Sequence, residues 1–280
     1  MNYRHAYHAG NFADVHKHAT LALILQHLKR KDTPFAYVDT HAGIGCYDLA
    51  SAQAEKTGEW LDGIARVMAR TAPPDAARPL LQVVEGLNPD GGLRFYPGSP
   101  AVAAALARPG DRLALCELHP EDAAQLRRRF AADRRVGVHH RDGYDGLKAL
   151  LPPPERRGLV LIDPPFEVPG EFDRMRKGLA QALKRWATGL YALWYPIKDP
   201  AVIARFHADL SMIGLPPAFA AELMIHSGTD SQILNGCGLV VVNPPWQLDE
   251  RLAELLPWLA EVLAPGEGSW RIEPIRPPSR

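Results

Sequence analysis

Short apolar runs alternate with helical patterns along most of this chain, and that alternation limits the folds it can adopt. Runs with the length and composition of strands occur at residues 35–39, 112–117, 136–140, 158–162, 190–195, 219–225 and 238–242. Apolar residues at helical spacing occupy residues 21–29, 100–107, 123–130, 172–186 and 202–212. Strands that alternate with helices predict a parallel, doubly wound α/β sheet. Its helices lie on both faces because crossover connections are right-handed.

The first two predicted strands are separated by a segment that is too long for one crossover connection. Residues 47–94 contain two helical patterns, at 59–68 and 76–87, joined by Thr71-Ala-Pro-Pro74. We interpret residues 1–280 as one domain into which residues 47–94 are inserted as a small helical subdomain. A lid over the sheet is the alternative interpretation of the same segment.

The composition is that of an ordinary globular protein. Apolar residues make up 46% of the chain, and no run of 18 apolar residues predicts a membrane span. The N-terminal residues lack the apolar core of a signal peptide. The three cysteines, Cys46, Cys116 and Cys237, are scattered. This favours reduced thiols and a cytoplasmic protein over a disulfide framework or a zinc site.

The charge distribution gives opposing indications about nucleic acid. The chain has 32 basic and 32 acidic residues, whereas nucleic-acid-binding proteins usually have a basic surplus. Basic residues nevertheless cluster at 29–31, at 127–129 with 134–135, at 156–157 and at 184–185. Most clusters of this kind are solvated helix faces or turns, so we expect at most one or two of them to contact phosphate.

The predicted strand at 158–162 stops at Asp163-Pro164-Pro165-Phe166, the motif that carries the most chemistry. An acid at such a stop lies at the carboxyl edge of an open α/β sheet, where ligands bind. The prolines fix the backbone and present carbonyls without competing N–H groups. Asp163 and the Pro164 carbonyl can accept both hydrogens of a planar amine while Phe166 stacks on its base. The motif predicts methylation of an exocyclic nucleobase nitrogen, with an ordinary strand-to-loop turn as the alternative.

Acidic residues also stand at the ends of the first three predicted strands. Asp39 opens the loop Asp39-Thr-His-Ala-Gly43-Ile-Gly45, which matches the acid-x-x-x-Gly-x-Gly loop of S-adenosylmethionine enzymes and not the dinucleotide fingerprint. Glu117 ends the second strand, where an acid can take both ribose hydroxyls. Asp142-Gly143 follows the third, where an acid and the backbone can recognise an adenine edge. Each acid alone would more often be a helix cap or a solvated turn, but their order along one edge favours a cofactor site.

The (Asp/Asn)-Pro-Pro-aromatic pattern occurs a second time, at Asn243-Pro244-Pro245-Trp246, so strand order must choose between the two copies. Seven strands with these acids fit a Rossmann-like class I S-adenosylmethionine-dependent methyltransferase. In that fold the last strand is antiparallel and lies between the fifth and sixth, so its carboxyl end points away from the cofactor. We therefore assign the chemistry to Asp163 and interpret Asn243 as a strand terminator, with Trp246 as a packing residue.

Motifs spread over nearly the whole chain carry a family resemblance, and the N-terminal one is highly specific. They are Tyr3-Arg-His-Ala-Tyr-His-Ala-Gly-Asn-Phe-Ala-Asp-Val-His-Lys-His18, Asp39-Thr-His-Ala-Gly43, Glu55-Lys-Thr-Gly-Glu59, Tyr96-Pro-Gly-Ser-Pro100, Glu117-Leu-His-Pro120, Leu161-Ile-Asp-Pro-Pro165, Tyr191-Ala-Leu-Trp-Tyr-Pro196 and Asn243-Pro-Pro-Trp246. Together they closely resemble the bacterial 23S rRNA adenine-N6 methyltransferase family of the J type. This chain departs from the family at Phe166, where Tyr is typical; stacking survives that change but a hydroxyl contact is lost.

The resemblance implies a reaction and a set of site residues. The family methylates N6 of adenine 2030 in 23S rRNA, with S-adenosyl-L-methionine as donor and S-adenosyl-L-homocysteine as product. The resemblance also implies an RNA contact at Tyr3. It implies cofactor contacts at His18, His41, Ser99, Glu117, Asp142, Gly143 and Asp163. With the motif chemistry above, Asp163, Pro164 and Phe166 are the expected catalytic residues. We expect a monomer that acts on protein-free or partly assembled 23S rRNA and binds no membrane.

Alternatives to this interpretation remain at the level of sequence. Adenine in DNA or a glutamine side-chain amide could be the substrate of the same motif. An RNA-binding assembly factor without turnover is the rival class, but Asp39, the loop glycines and Asp163 are all present. Four N-terminal histidines, at positions 5, 8, 16 and 18, have no nearby Cys to complete a closed zinc shell, so we expect no metal. Residues 3–18 form either a lid over cofactor and RNA or a strap packed on the sheet.

Overall fold

The computed structural model describes residues 4–226 and 230–276. The strands are β1 (Ala36–Asp39), β2 (Cys46–Asp48), β3 (Phe95–Pro97), β4 (Arg112–Glu117), β5 (Val136–His140), β6 (Gly158–Ile162), β7 (Leu190–Ile197), β8 (Ala218–Met224), β9 (Gly236–Val242) and β10 (Ser269–Pro274). The helices are α1 (Phe12–Leu28), α2 (Ala52–Thr57), α3 (Glu59–Asp62), α4 (Ile64–Met68), α5 (Arg78–Leu87), α6 (Ser99–Leu106), α7 (Pro120–Arg129), α8 (Gly143–Leu150), α9 (Glu171–Arg185), α10 (Pro200–Ser211) and α11 (Leu248–Leu263). A short 3-10 helix spans His5–Tyr7.

The main sheet has the order β10-β8-β9-β7-β6-β1-β4-β5. Strands β5, β4, β1, β6 and β7 are parallel, and β9 pairs antiparallel with β7 on one side and β8 on the other. This confirms the doubly wound α/β class and the antiparallel strand inserted between the fifth and sixth predicted strands. The expected number of seven strands was wrong by one, since β10 pairs antiparallel with β8. Its residues are mostly exposed, so it lacks the apolar run by which the other strands were recognised.

Two apolar layers cover the two faces of the sheet. One layer includes Leu80 of α5 and Leu255 of α11, and the other includes Leu179 of α9 and Phe206 of α10. Because successive strand residues face opposite sides, β6 contributes its odd-numbered leucines to the first layer and Val160 and Ile162 to the second. Among the described helices, none combines the length and the hydrophobicity needed to cross a bilayer.

Helix α1 is buried along nearly its whole length, polar side chains included. The sequence placed its start at residue 21 because the first turns are polar, but the helix begins at Phe12. The Asn11 side chain caps it by accepting a hydrogen bond from the Asp14 N–H at 3.0 Å. Buried polar groups require partners. Lys17 finds its partner Asp163 at the carboxyl edge of the sheet, and His18 pairs with Tyr96 of β3. Asp14 pairs with His5 and with Lys17 of its own helix.

Strands β2 and β3 pair as a small antiparallel ribbon, and helices α2 to α5 occupy the stretch of sequence between these two strands. The helix expected at 59–68 is divided at Gly63, whose backbone is not helical, with φ −104° and ψ −112°. A Cβ there would lie 2.0 Å from the carbonyl oxygen of Gly10, so only glycine fits. Helix α5 packs against α1 and α6, and α4 packs against α11. The division that makes residues 47–94 a separate helical subdomain stays a prediction.

Candidate active site

One cavity of about 1010 Å³ opens at the carboxyl edge of β1, β4 and β6. Its lining includes every described residue that the sequence assigned to the site: His18, His41, Ser99, Glu117, Asp142, Gly143, Asp163, Pro164 and Phe166. Tyr3, the expected RNA contact, lies outside the described residues. These site residues come from α1, the loop after β1, the start of α6, the end of β4, the junction of β5 with α8, and the loop after β6. The tertiary fold therefore brings together residues that are far apart in the sequence.

Glu117 ends β4 with its carboxylate facing the cavity. One of its oxygens, Oε2, accepts the Gly43 N–H at 2.8 Å, and Oε1 accepts the His119 N–H at 2.7 Å. Burial raises the pKa of this carboxyl, and the two backbone donors oppose that rise. Each oxygen keeps a further lone pair, so the group can still accept hydrogen bonds from two neighbouring hydroxyls.

Asp142 and Gly143 lie where β5 leads into α8. Asp142 caps the helix by accepting from the Tyr144 N–H at 2.8 Å, and its other oxygen accepts from Arg174 at 3.2 Å. A Cβ at Gly143 would lie 2.2 Å from the carbonyl oxygen of Thr40, so no larger residue fits beside this part of the cavity. The helix-cap alternative for Asp142 is therefore correct, and it coexists with a place in the cavity wall.

Asp39 differs from the other strand-end acids because it does not line the cavity. It is fully buried and accepts hydrogen bonds from Tyr37 Oη at 2.6 Å and Ser99 Oγ at 2.7 Å. Burial raises its pKa to about 6, although both hydroxyls oppose that rise. Asp39 positions Ser99 and the loop after β1, and Ser99 forms the wall.

Burial lowers the pKa of two of the histidines that line the cavity. His18 is buried on α1 with Nδ1 2.9 Å from Tyr96 Oη, and burial lowers its pKa to about 3. His41 lies in the loop after β1 with Nδ1 2.7 Å from Thr40 Oγ1, and burial also lowers its pKa. Both rings are therefore uncharged at neutral pH and act as hydrogen-bonding groups.

The most consequential contact of the site was not predicted. Lys17 of α1 donates to Asp163 Oδ2 at 2.6 Å and lies 2.8 Å from Asp14 Oδ1. Burial opposes charge on Lys17, but the two carboxylates outweigh it and raise the lysine pKa. Burial likewise opposes charge on Asp14, while His5 and Lys17 bring its pKa well below the usual range. The i, i+3 spacing of Asp14 and Lys17 could have indicated their ion pair, but no local pattern indicates the contact of Lys17 with Asp163.

Phe166 is held at the cavity by other aromatic rings. Its backbone has a φ of 51°, and its ring meets Phe172 edge-on at 4.8 Å and Trp194 at 6.0 Å. The Lys17 ammonium lies 5.6 Å from the centre of the Trp194 ring. The sequence indicated no role for Trp194 beyond its place in the motif Tyr191-Ala-Leu-Trp-Tyr-Pro196. The structure places this residue in the cavity wall.

Residues 4–11 pass along the cavity mouth and are tied at several points. Arg4 pairs with Glu121 and Asp122 at 2.7 Å each, at the start of α7. His5 Nε2 lies 2.8 Å from Asp14 Oδ2, and His8 Nδ1 lies 2.8 Å from Glu59 Oε1. These contacts give the segment the form of a strap. The histidines have separate partners, and within the described part of the chain no group of three or more His, Cys, Asp and Glu is arranged to hold a metal.

The chain matches a known family over most of its length. A family model described as "Ribosomal RNA large subunit methyltransferase D, RlmJ" matches residues 32–275. This chain belongs to that family. The "Ribosomal RNA large subunit methyltransferase J" of Escherichia coli (strain K12) is 46% identical over 265 residues, covering 95% of each chain. The protein of the same name from Haemophilus influenzae is 44% identical over 279 residues, covering 99% of each chain.

A solved structure agrees with this membership. A crystal structure of a protein from Legionella pneumophila superposes with a TM-score of 0.88 at 37% identity, covering 95% of this chain and 98% of that one. Membership in the RlmJ family confirms the methyltransferase class that the sequence predicted, together with S-adenosyl-L-methionine as its cofactor.

The cavity of this RlmJ family member fits that cofactor. Gly43 has a φ of 60°, and a Cβ there would lie 2.4 Å from Tyr47 Oη, so only glycine fits at this position. The backbone of Gly43 therefore lines the cavity next to Glu117 without a side chain. The volume of about 1010 Å³ is at the upper end of small-molecule pockets, which span roughly 300–1,000 Å³. The cavity therefore has room for a cofactor and a nucleobase together.

The second proline motif of this RlmJ family member lies at the other edge of the sheet. Val242, the last residue of β9, pairs with Tyr191 at the start of β7 and with Ala218 at the start of β8. Asn243 donates to the carbonyl oxygens of Ala187 and Gly189, as expected of a strand terminator. Trp246 is 77% exposed, so the prediction that it packs against the protein was wrong.

Proposed function

We propose that this chain transfers a methyl group from S-adenosyl-L-methionine to N6 of an adenine in 23S rRNA, at position 2030 in the usual numbering. The observation that carries the proposal is the meeting of Asp163, Pro164 and Phe166 with Glu117, Gly143 and His41 around one cavity. The names of the relatives from Escherichia coli and Haemophilus influenzae support ribosomal RNA as the substrate over DNA or a glutamine amide.

Asp163 and Pro164 prepare the amine for attack. The adenine amino nitrogen is a poor nucleophile because its lone pair is delocalised into the ring. If Asp163 and the Pro164 carbonyl accept its two hydrogens, a pyramidal nitrogen with a localised lone pair is favoured. Positioning and electrostatics of this kind supply most of the rate gain. When bound, S-adenosyl-L-methionine supplies an electrophilic methyl group on a sulfonium.

Lys17 holds one oxygen of Asp163 and leaves the other for the amine. Its hydrogen bond engages Oδ2 at 2.6 Å, and within the described residues Oδ1 has no hydrogen-bond partner. A carboxylate oxygen accepts hydrogen bonds and cannot donate one, so Oδ1 can accept a hydrogen of the amine. After the new N–C bond forms, the nitrogen is positively charged and acidic, so it loses a proton to the carboxylate or to water. A strong base is not required.

The target base must leave its stack to enter the cavity, at a cost of a few kcal/mol. Stacking on Phe166 returns about 1–3 kcal/mol, and a base in a loop or bulge costs less to extrude. For this reason we propose protein-free or partly assembled 23S rRNA as the substrate, with the enzyme acting as a monomer in the cytoplasm. The strap of residues 4–11 borders the same cavity and would contact RNA that enters it.

A transfer assay with labelled S-adenosyl-L-methionine tests the proposal. Purified 23S rRNA, mature ribosomes, DNA and a peptide release factor are offered in parallel, and the labelled nucleoside or amide is identified. Label in N6-methyladenine from free rRNA is the expected result. Label only in DNA or protein, or binding to rRNA without any transfer, would overturn it.

A further inference from the structure

Trp246 is more exposed than any other large apolar side chain among the described residues, at 77%. A rigid backbone presents it: Asn243 has a φ of 54° and is bonded to two carbonyls, two prolines follow, and α11 begins at Leu248. Proline restricts the backbone, so the indole is displayed without a flexible loop. Single exposed apolar side chains are common on protein surfaces, so the groups around Trp246 decide what it can bind.

Arginines outnumber acidic residues two to one in the lining of the cleft beside Trp246. A shallow cleft of about 70 Å³ lies between the end of α1 and the start of α11, and its lining includes His27, Arg30, Glu250 and Arg251. Partial burial lowers the pKa of His27, and so do the positive charges of Arg30, Arg157 and Lys31. In the part of the chain that the structure describes, Arg30 has no ion pair, and Arg251 lies 3.7 Å from Glu254.

We propose that Trp246, Arg30 and Arg251 form a second RNA-binding surface, at the sheet edge opposite the active site, which stacks an unpaired base and contacts neighbouring phosphates. This surface rests on the proposed function, in which the substrate is RNA. Every base has a π-face that can stack on an indole, and arginines provide phosphate contacts. Among the basic clusters in the sequence, residues 29–31 are thereby the one assigned to phosphate.

The composition of the patch favours RNA over protein. Protein-binding surfaces are depleted in lysine and have a contiguous apolar core. Here lysines at 29 and 31 flank Arg30, and the glutamines at 26 and 247 border the single indole. The seven residues of β9 span roughly 20 Å at the usual rise per residue, so the two edges contact different segments of one RNA.

The test compares Trp246→Ala and Arg30→Ala with matched controls in the full-length protein. Trp270→Ala removes another exposed indole, on β10, and Arg128→Ala removes another exposed arginine, on α7. Dissociation constants are measured for a long, protein-free 23S rRNA fragment, for a short hairpin that contains only the target loop, and for ribosomal particles. Single-turnover methylation is measured at saturating RNA.

Trp246→Ala is expected to weaken binding of the long RNA by about 5- to 50-fold, with hairpin binding and saturated turnover unchanged. Arg30→Ala is expected to lower the salt dependence of long-RNA binding by about one counterion. Equal affinity of wild type and Trp246→Ala for the long RNA would overturn the surface, as would an equal defect in Trp270→Ala. A defect seen only with ribosomal particles would identify a protein-binding surface instead. If wild type binds RNA without methylating it, the proposed function fails while the affinity comparison still decides this surface.

Discussion

The two (Asp/Asn)-Pro-Pro-aromatic motifs share a sequence pattern and differ in every structural respect that chemistry needs. Asp163 follows the parallel strand β6, faces a cavity of about 1010 Å³ and is bonded to Lys17. Asn243 follows the antiparallel strand β9 and uses its side chain to hold two carbonyl oxygens. Strand direction alone decides which edge of the sheet each motif reaches, so the motif becomes a site only in one of its two positions.

The aromatic residues of the two motifs make the same point. Phe166 is half-buried and meets Phe172 and Trp194 edge-on, whereas Trp246 projects into solvent. Left-handed backbone occurs at Phe166 in the first motif but at Asn243 in the second. Identical spacing therefore does not give identical geometry, because the surrounding elements determine where the backbone turns.

The largest expected difference between the motifs is in turnover. Asp163→Ala removes the acceptor that the reacting amine needs in the transition state, and single-turnover methylation should fall by about 10²- to 10³-fold. Cofactor affinity should stay within a few fold. Asn243→Ala is the matched control and should methylate at close to the wild-type rate. A near wild-type rate for Asp163→Ala, or an equal loss in Asn243→Ala at unchanged melting temperature, would show that the wrong motif was chosen.

Substitution of the ring in the first motif should have the next largest effect. Phe166→Ala forfeits stacking worth about 1–3 kcal/mol, which is roughly 5- to 150-fold in kcat/KM. Phe166→Tyr keeps the ring and should change kcat/KM little. Trp246→Ala, assayed on the short hairpin, should leave turnover unchanged. Equal defects in the Ala and Tyr variants would mean that tight packing against Phe172 matters and stacking on a base does not.

Two histidines of α1, His18 and His27, should differ in their response to acid. The pKa of buried His18 is about 3 in the folded state and near 6.5 when unfolded, so the unfolded state binds more protons between these values. Stability from this group is therefore lost as pH falls below 6.5, by about 2 kcal/mol between pH 7 and pH 5. Urea denaturation of His18→Gln should show a smaller pH dependence than wild type.

His27, near the second motif, is the control for that measurement. It is only partly buried, so His27→Gln should leave the pH dependence close to that of wild type. Asp39 contributes with the opposite sign: its folded pKa of about 6 exceeds the unfolded value, so its contribution to stability grows as pH falls through 6. That contribution is present in all three proteins and cancels in the comparison. An unchanged slope in His18→Gln would show that His18 is not buried in the neutral form.

The smallest expected effect is on stability at the second motif. Asn243→Ala removes two donated hydrogen bonds and places a less tolerant residue at a φ of 54°, which should lower the free energy of unfolding by about 1–2 kcal/mol. Asn243→Gly should cost less because glycine keeps the backbone conformation. Asn243→Asp gives the second motif the Asp-Pro-Pro sequence of the first, but its carboxylate cannot donate a hydrogen bond to the carbonyl oxygens of Ala187 and Gly189. A gain of activity in that variant would contradict the account of both motifs.

The sequence by itself determined the α/β class and indicated that Asp163, Glu117 and Asp142 lie at one edge of the sheet. It could do so because buried strands carry apolar runs, and because the carboxyl ends of parallel strands meet at one edge. Each of these three acids stands at or just beyond the end of such a run. The antiparallel direction of β9 and the histidine and serine contacts followed from resemblance to known methyltransferases. The signal failed for β10, whose exposed residues pair with a free sheet edge and form no apolar run. It failed also for the start of α1, where polar residues hide a buried helix.

Only the tertiary structure decided how these residues act on one another. Lys17 and Asp163 are 146 positions apart in the chain, so no local pattern indicates their 2.6 Å contact. The burial of Asp39 beneath the cavity, and the exposure of Trp246, depend on which elements cover each strand end. Local sequence specifies helices and strands through the backbone preferences of its residues and the spacing of its apolar side chains. Pairing, burial and charge at a site arise from contacts between elements distant in sequence, which form only when the whole sheet is assembled.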